Sequence, residues 1–177
     1  MTPHVVILHD EPELEDKRSD VVAVERYLSD AGFQVTSLCL DGILCEPETV
    51  LAGLRQHQPD AVFNLYEGSI DRPEGEALVA GLLEWLSLPF TGSPSFALRL
   101  ALNKPLAKRL LLGYGLPTPA FFVVDDLPVP PCPLSWPLIV KPSAEDGSIG
   151  IDQGSVVTDR QSLTKRVAHL LDRKSVV

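Results

Sequence analysis

Short apolar segments alternate with helix-length segments through the first half of the chain. Segments with the composition of buried strands lie at residues 4–9, 33–40, 61–65 and 88–91. Apolar residues recur at helical spacing between them, at residues 19–30, 47–57 and 74–86. Because parallel strands need a long crossover, usually a helix, this alternation predicts an α/β fold with a doubly wound parallel sheet. Ligands of such a sheet bind near the carboxyl ends of its strands.

A helical pattern begins near residue 93 and ends the alternation. A helix is predicted over residues 96–102, with Ser95 as its cap. A second helix is predicted after it, because Asn103 is a favoured capping residue and Pro105 is tolerated in a first helical turn. We predict that these two helices form a connector between the first domain and the part of the chain that follows them.

After the connector, residues 125–137 are rich in proline and are predicted to form an irregular surface loop. Strands are predicted at residues 120–124, 138–141 and 151–157. The last helix is predicted from about residue 159 to residue 172, with Thr158 or Asp159 as its cap. The predicted division is into a doubly wound domain, a helical connector and a second domain, at residues 1–95, 96–117 and 118–177.

Composition limits the classes of partner. The chain has 177 residues and a net charge of −9, and we expect no nucleic-acid partner, since binding to a phosphate backbone needs a basic face. No apolar run is long enough to cross a bilayer and the N-terminus lacks a secretory signal pattern, which predicts a cytoplasmic protein. Cys39, Cys45 and Cys132 lack ligand spacing, so neither a disulfide framework nor a zinc site is predicted.

The clearest chemical signal is the sequence PLIVKPSAEDGSIGI at residues 137–151. An apolar strand delivers Lys141 to a loop that carries Gly147, Ser148 and Gly150. A lysine supplies positive charge and small residues let backbone N–H groups approach an anion, so this stretch predicts a phosphate site. A simple hairpin turn at the two glycines is the alternative.

This stretch and the preceding LPFTGSPSFALRLALNKPLAKRLLLGYGLPTP, at residues 88–119, resemble the D-alanine:D-alanine ligase family of ATP-grasp enzymes. A TGS turn, a lysine-bearing connector helix, an LPTP segment and a VKP strand occur in the family's order. The resemblance implies a pre-ATP-grasp domain followed by an incomplete ATP-grasp central subdomain. It also implies a ligase of peptidoglycan biosynthesis that uses ATP and Mg²⁺, acts on small amino-acid-like substrates and forms a homodimer.

The resemblance assigns roles to the residues that match the family's motifs. Lys104 and Lys141 correspond to the two lysines that contact the phosphates of ATP, and Ser148 and Gly150 belong to the same cofactor-binding set. Gly147 and Ser148 correspond to the loop that folds over the phosphates during catalysis. Taken alone, Lys104 is better explained as a solvated helix lysine, so its role depends on the order of the motifs.

The family's substrate motifs are not matched at two places. After the first strand the chain has HDEP at residues 9–12 instead of a glycine pair. Glu13 and Glu15 follow, and either can meet the amino group of a substrate or belong to a solvated acidic loop. After the third strand, Glu67 precedes Gly68 where the family carries a histidine–glycine pair. Glu67 is predicted to bind an amine or to end the strand, and the identity of the two substrates stays open.

In the family, the magnesium ligands and the adenine-binding strand belong to the C-terminal third of a longer enzyme, which these 177 residues lack. We therefore predict no metal site in this chain, no turnover by this chain alone, and a fragment or a prematurely ended reading frame. Two alternatives remain open. One is an ATP-grasp ligase with another amino-acid or amine substrate, and the other is a noncatalytic nucleotide-binding or interaction module.

Overall fold

The computed structural model of the chain describes residues 2–10, 15–40, 47–68, 73–145 and 150–172. The chain divides into two compact units, Met1–Leu98 and Arg99–Val177. Each unit has a hydrophobic core of its own. The boundary between them falls inside a helix.

The first unit is built on a parallel sheet. Its strands are β1 (His4–His9), β2 (Gln34–Cys39) and β3 (Ala61–Asn64), in the spatial order β2-β1-β3. Its helices are α1 (Glu15–Asp30), α2 (Pro47–His57) and α3 (Gly75–Trp85). Both strand pairs are parallel, with Val5 opposite Val35 on one side and Ala61 on the other. The predicted α/β fold with a doubly wound parallel sheet is confirmed.

The central strand β1 is covered on both faces. Val6, Ile7 and Leu8 are consecutive, and each is 0% exposed. Successive side chains of a strand point to opposite faces of the sheet, so helices or loops must cover both of them, as is usual for parallel sheets. Full burial of one such side chain contributes about 1.5–3 kcal/mol, which makes this strand a main source of the unit's stability.

The predicted fourth strand is reduced to a single pairing. Phe90 forms a parallel bridge with Val62. The N–H of Val62 donates to the carbonyl of Pro89 at 2.8 Å, and the N–H of Thr91 donates to the carbonyl of Val62 at 3.1 Å. Pro89 has no N–H of its own to extend the ladder, and proline in a sheet is confined to edges and strand ends.

The second unit combines helices with a small antiparallel sheet. Strand β4 (Leu138–Ile139) pairs with β5 (Val156–Val157). The helices are α4 (Ser95–Leu102), in which the unit boundary falls, α5 (Lys104–Gly113) and α6 (Arg160–Asp172). The buried core consists of Val124, Val129, Val140, Val157, Leu163, Val167 and Leu170.

The strand predicted at residues 120–124 was wrong, because the structure describes these residues and assigns no strand to them. Their apolar side chains still contribute to the core. Val124 is 5% exposed, and Phe122 packs against the same cluster. A run of apolar residues predicts burial, whereas a strand also needs a neighbouring backbone with which to pair.

The strand predicted at residues 151–157 is shortened to β5, and a 3₁₀ turn at Gln153–Ser155 precedes it. The carboxylate of Asp152 accepts a hydrogen bond from the N–H of Gly154 at 2.7 Å. The hydroxyl of Ser155 accepts one from the N–H of Asp152 at 3.0 Å. Such local bonds between side chains and backbone offer the chain an alternative to strand pairing, which explains the difference.

Two of the three predicted helix caps are confirmed, whereas Ser95 is the first residue of α4 rather than its cap and its hydroxyl donates to Glu84 at 2.5 Å. The side chain of Asn103 accepts a hydrogen bond from the N–H of Leu106 at 3.0 Å. The carboxylate of Asp159 accepts one from the N–H of Ser162 at 2.7 Å, so Asp159 rather than Thr158 caps α6. Each cap satisfies an N–H that has no acceptor inside the helix.

Candidate functional site

The first turn of α5 contacts the backbone that follows β4. The N–H of Lys104 donates to the carbonyl of Ser143 at 3.0 Å, and its ammonium donates to the carbonyl of Glu145. Ser143 lies two residues after Lys141 in the sequence. The structure therefore brings together the two segments that carry the predicted phosphate-binding lysines.

The local sequence explains why α5 begins at this place. Asn103 caps the helix, and Pro105, which has no N–H, lies in the first turn, where a backbone N–H would have no intrahelical acceptor. The N–H of Lys104 has no intrahelical acceptor either and binds Ser143 instead. The helix thus directs its positively polarised end and the half-buried Lys104 towards residues 143–145.

Lys141 lies in an exposed position between two buried neighbours. Val140 is 6% exposed, and Pro142 is buried as well. Alternating burial along the chain anchors the backbone on both sides of Lys141 and leaves its side chain in solvent. Within the described residues, no hydrogen bond or ion pair engages the ammonium of Lys141.

Gly150 lies against the residue that follows Lys141. Its φ angle is +71°, in the left-handed region, and a Cβ placed on it would lie 2.9 Å from Cγ of Pro142. Both facts require a glycine, the first because other residues are strained there and the second because a Cβ has no room. Two residues eight positions apart, Pro142 and Gly150, are therefore in contact.

Other residues of the predicted site lie outside the described residues. These are Gly147, Ser148 and Glu13. Glu15 is described as the first residue of α1, but its side chain is outside the described part of the structure. The roles of these four residues therefore stay predictions.

The carboxyl end of the parallel sheet carries polar groups in the first unit. At the end of β1, Nδ1 of His9 is 2.7 Å from the carbonyl of Asp10, and Nε2 is 3.0 Å from the hydroxyl of Ser37. A carbonyl can only accept, so Nδ1–H donates to Asp10, while Nε2 shares a hydrogen bond with the hydroxyl of Ser37. Glu67 is exposed three residues after β3, at the same end of the sheet. This is the end at which parallel sheets bind their ligands.

Arg166 of α6 is a buried arginine that the sequence analysis did not identify. Its guanidinium donates to both carboxylate oxygens of Asp152, at 2.9 and 3.1 Å. It also donates to the carbonyl of Gly150 at 2.5 Å and to the hydroxyl of Ser155 at 2.8 Å. The hydrogen bond from Arg166 is the main reason that the pKa of the Asp152 carboxyl lies below its ordinary value.

The sequence does contain a signal for Arg166. Leu163, Val167 and Leu170 recur at helical spacing and form the buried face of α6. Position 166 lies three residues after Leu163, on the same face. A charged residue on an apolar helix face is expected to have a specific partner, because burying an unpaired charge is costly.

The described residues contain no cluster of potential metal ligands. Where the structure describes the chain, no group of three or more His, Cys, Asp or Glu residues could hold a metal ion. We therefore derive no chemical step through magnesium from these residues.

Among the described residues, none of the helices is both long enough and apolar enough to span a membrane.

The chain is similar in sequence to curated D-alanine–D-alanine ligases. The ligase of Gloeobacter violaceus is 34% identical over 149 residues, which is 80% of this chain and 46% of that protein. The ligase of Cereibacter sphaeroides is 38% identical over 125 residues, covering 70% of this chain and 38% of that protein. The matched residues thus make up less than half the length of these relatives. No protein-family model matches the chain.

Solved D-alanine–D-alanine ligases share the fold. The structure from Bacillus anthracis complexed with ATP has a TM-score of 0.73 and 19% identity, and the match covers 99% of this chain and 57% of that one. The structure from Helicobacter pylori has a TM-score of 0.65 and 20% identity, and the match covers 97% of this chain and 64% of that one. The resemblance to this family inferred from the sequence motifs is confirmed.

Proposed function

This chain resembles the D-alanine–D-alanine ligases in sequence and fold over part of their length, and we propose that it is the N-terminal part of an ATP-dependent carboxylate–amine ligase. In the proposed reaction, one carboxylate attacks the terminal phosphate of ATP to give an acyl phosphate and ADP. The amine of a second substrate then attacks the acyl carbon, an amide bond forms, and phosphate leaves. The substrates are small and amino-acid-like.

The observation that carries this proposal is the contact between α5 and residues 143–145. Two hydrogen bonds from Lys104, one from its backbone and one from its ammonium, fix the helix end beside the segment that follows Lys141. This contact supports a shared site for two lysines that are far apart in the sequence. Gly150 packs against Pro142, and because a glycine has no side chain, its backbone can approach a ligand at this place.

The proposed role of the two lysines is electrostatic. Two unit charges about 4 Å apart interact by roughly 4 kcal/mol at an effective dielectric constant of about 20. Lys104 and Lys141 would hold the phosphates of ATP and reduce the repulsion between the attacking carboxylate and the terminal phosphate. Chemistry of this kind depends on positioning and charge rather than on a nucleophile supplied by the protein.

Binding of ATP to the purified chain tests the proposal. We expect Lys141→Met to weaken ATP binding at least about tenfold in titration calorimetry, because it removes a charge-assisted contact. Lys104→Met is expected to weaken binding as well. The matched control is Lys165→Met, which removes an exposed lysine of α6 and is expected to leave the ATP affinity unchanged. Equal affinity in the Lys141 and Lys165 variants would contradict the proposal.

A ligase with a different pair of substrates is the second candidate. It is favoured by Glu67, an exposed carboxylate at the ligand-binding end of the sheet. A carboxylate there favours a cationic group of the substrate, such as an amine, whereas a neutral side chain does not. A panel of amino acids and amines, assayed for ATP-dependent phosphate release by the whole protein, separates the candidates. Phosphate release when D-alanine is the only amino acid added supports the first candidate. Phosphate release only when another amine is added supports the ligase with a different pair of substrates.

A further inference from the structure

Arg166 ties α6 to the turn that begins at Gly150, and we propose that it is a positioning residue for nucleotide binding. In this proposal Arg166 holds Gly150 against Pro142, beside Lys141, so that the backbone lining the phosphate site has one fixed position. The inference rests on the proposed nucleotide-binding function and adds to it a residue that does not touch the nucleotide.

The contacts of Arg166 converge on one short stretch of backbone. One terminal nitrogen of the guanidinium binds the carboxylate of Asp152, and the other binds the carbonyl of Gly150 and the hydroxyl of Ser155. In turn, the hydroxyl of Ser155 accepts from the N–H of Asp152, and the carboxylate of Asp152 accepts from the N–H of Gly154. Residues 150–155 are therefore held as one unit by a planar group with fixed donor directions.

The burial of Arg166 indicates a geometric role for its guanidinium, whose N–H donors point in fixed directions. The side chain is 8% exposed, and its buried Nε has no hydrogen-bond partner among the residues that the structure describes. Burial of a guanidinium is costly, and an apolar residue of similar volume on this buried face of α6 would avoid that cost. What an apolar residue cannot supply is the simultaneous bond to Asp152, Gly150 and Ser155.

The fixed turn is continuous with the proposed phosphate site. Arg166 holds the carbonyl of Gly150, while Pro142 lies against the Cα of the same glycine. Pro142 directly follows Lys141, whose ammonium is the proposed phosphate ligand. Loss of the guanidinium fork is therefore expected to let Gly150 move away from Lys141. Nucleotide affinity then falls although both lysines are still present.

Arg160 supplies a matched control on the same helix. Its guanidinium donates to the carbonyls of Val129 at 2.9 Å and Pro130 at 3.2 Å. It thus anchors a loop to α6 as Arg166 does, but at residues that take no part in the proposed site. Replacement of either arginine by lysine keeps the charge and removes the fork.

The experiment compares ATP affinity and unfolding temperature for the wild-type chain, Arg166→Lys and Arg160→Lys. We expect Arg166→Lys to bind ATP about tenfold more weakly, and Arg160→Lys to bind as the wild type does, even if both unfold at lower temperature. A merely structural role predicts a lower unfolding temperature for Arg166→Lys with unchanged affinity at a temperature where it is folded. That result would overturn the inference.

Asp152→Asn is the second variant, used if Arg166→Lys does not fold. Asp152 is 60% exposed, and asparagine keeps the oxygen that accepts from Gly154 while it removes the charge that binds Arg166. Weaker ATP binding by this variant supports the inference, and wild-type affinity contradicts it. If Lys141→Met abolishes binding while neither Asp152→Asn nor Arg166→Lys changes it, the inference fails and the proposed function stands. If the wild-type chain does not bind ATP, both fail.

Discussion

At the scale of single residues, the proposed site depends on backbone positions as much as on charges. Lys104 contributes a backbone bond and a side-chain bond to the same segment, and Gly150 contributes a position where a Cβ has no room. Lys141 and Gly150 were predicted as site residues because a strand end and a glycine loop have local signatures, whereas Lys104 was predicted only through the order of the family's motifs. Arg166 was not predicted, because its partners are 11 to 16 residues away and no local pattern specifies them.

Replacement of Gly150 tests the close packing of residues 142 and 150. We expect Gly150→Ala to lower the free energy of unfolding by about 1–3 kcal/mol, because alanine is strained at positive φ and its Cβ would contact Pro142. Urea denaturation of the purified variant measures this change. The control is Gly113→Ala at the end of α5, where a Cβ meets no atom within 4 Å. It is expected to be neutral or stabilising by up to about 1 kcal/mol. Equal effects of the two substitutions would argue against the described geometry.

At the scale of elements, helices were predicted more accurately than strands. The helix at residues 47–57 was predicted with its observed bounds, and the predicted caps Asn103 and Asp159 are the observed ones. Helix spacing and caps are largely properties of the local sequence; the predicted cap Ser95 fails because its hydroxyl donates to Glu84, a residue of another helix. A strand depends on a partner far along the chain. This is why residues 120–124 are buried without forming a strand and why β5 is shorter than predicted.

The cap of α5 connects an element to the site. We expect Asn103→Ala to cost about 1 kcal/mol of stability, because the N–H of Leu106 loses its acceptor. It is also expected to weaken ATP binding, since Lys104 is the next residue. Asn103→Asp keeps a capping oxygen and should preserve stability. Thermal unfolding and ATP titration of both variants check this. Wild-type stability of Asn103→Ala would show that the cap does not hold the start of α5.

At the scale of the whole molecule, the chain is acidic while the proposed site is locally basic. The net charge of −9 belongs to 177 residues, whereas the site uses two lysines and a backbone segment. The overall charge therefore argues against a nucleic-acid partner, which needs a large basic face. It does not argue against the binding of a small anion at two lysines. The order of motifs predicted the family, and the alternation of apolar and helix-length segments predicted the parallel sheet. The contacts of Lys104 and Arg166 required the structure, because they depend on which distant segments meet.

The most direct test of the central claim is a titration of the isotope-labelled chain with ATP, followed through its backbone amide resonances. Binding at the proposed site shifts the amides of Lys104, Lys141, Ser143 and Gly150 most, because these groups line or adjoin the phosphates. The amides of Arg160 and Lys165 serve as internal controls and are expected to shift little. Shifts concentrated at these control positions, or no shifts at Lys104 and Lys141 at saturating ATP, would contradict the assignment of this surface as the nucleotide site.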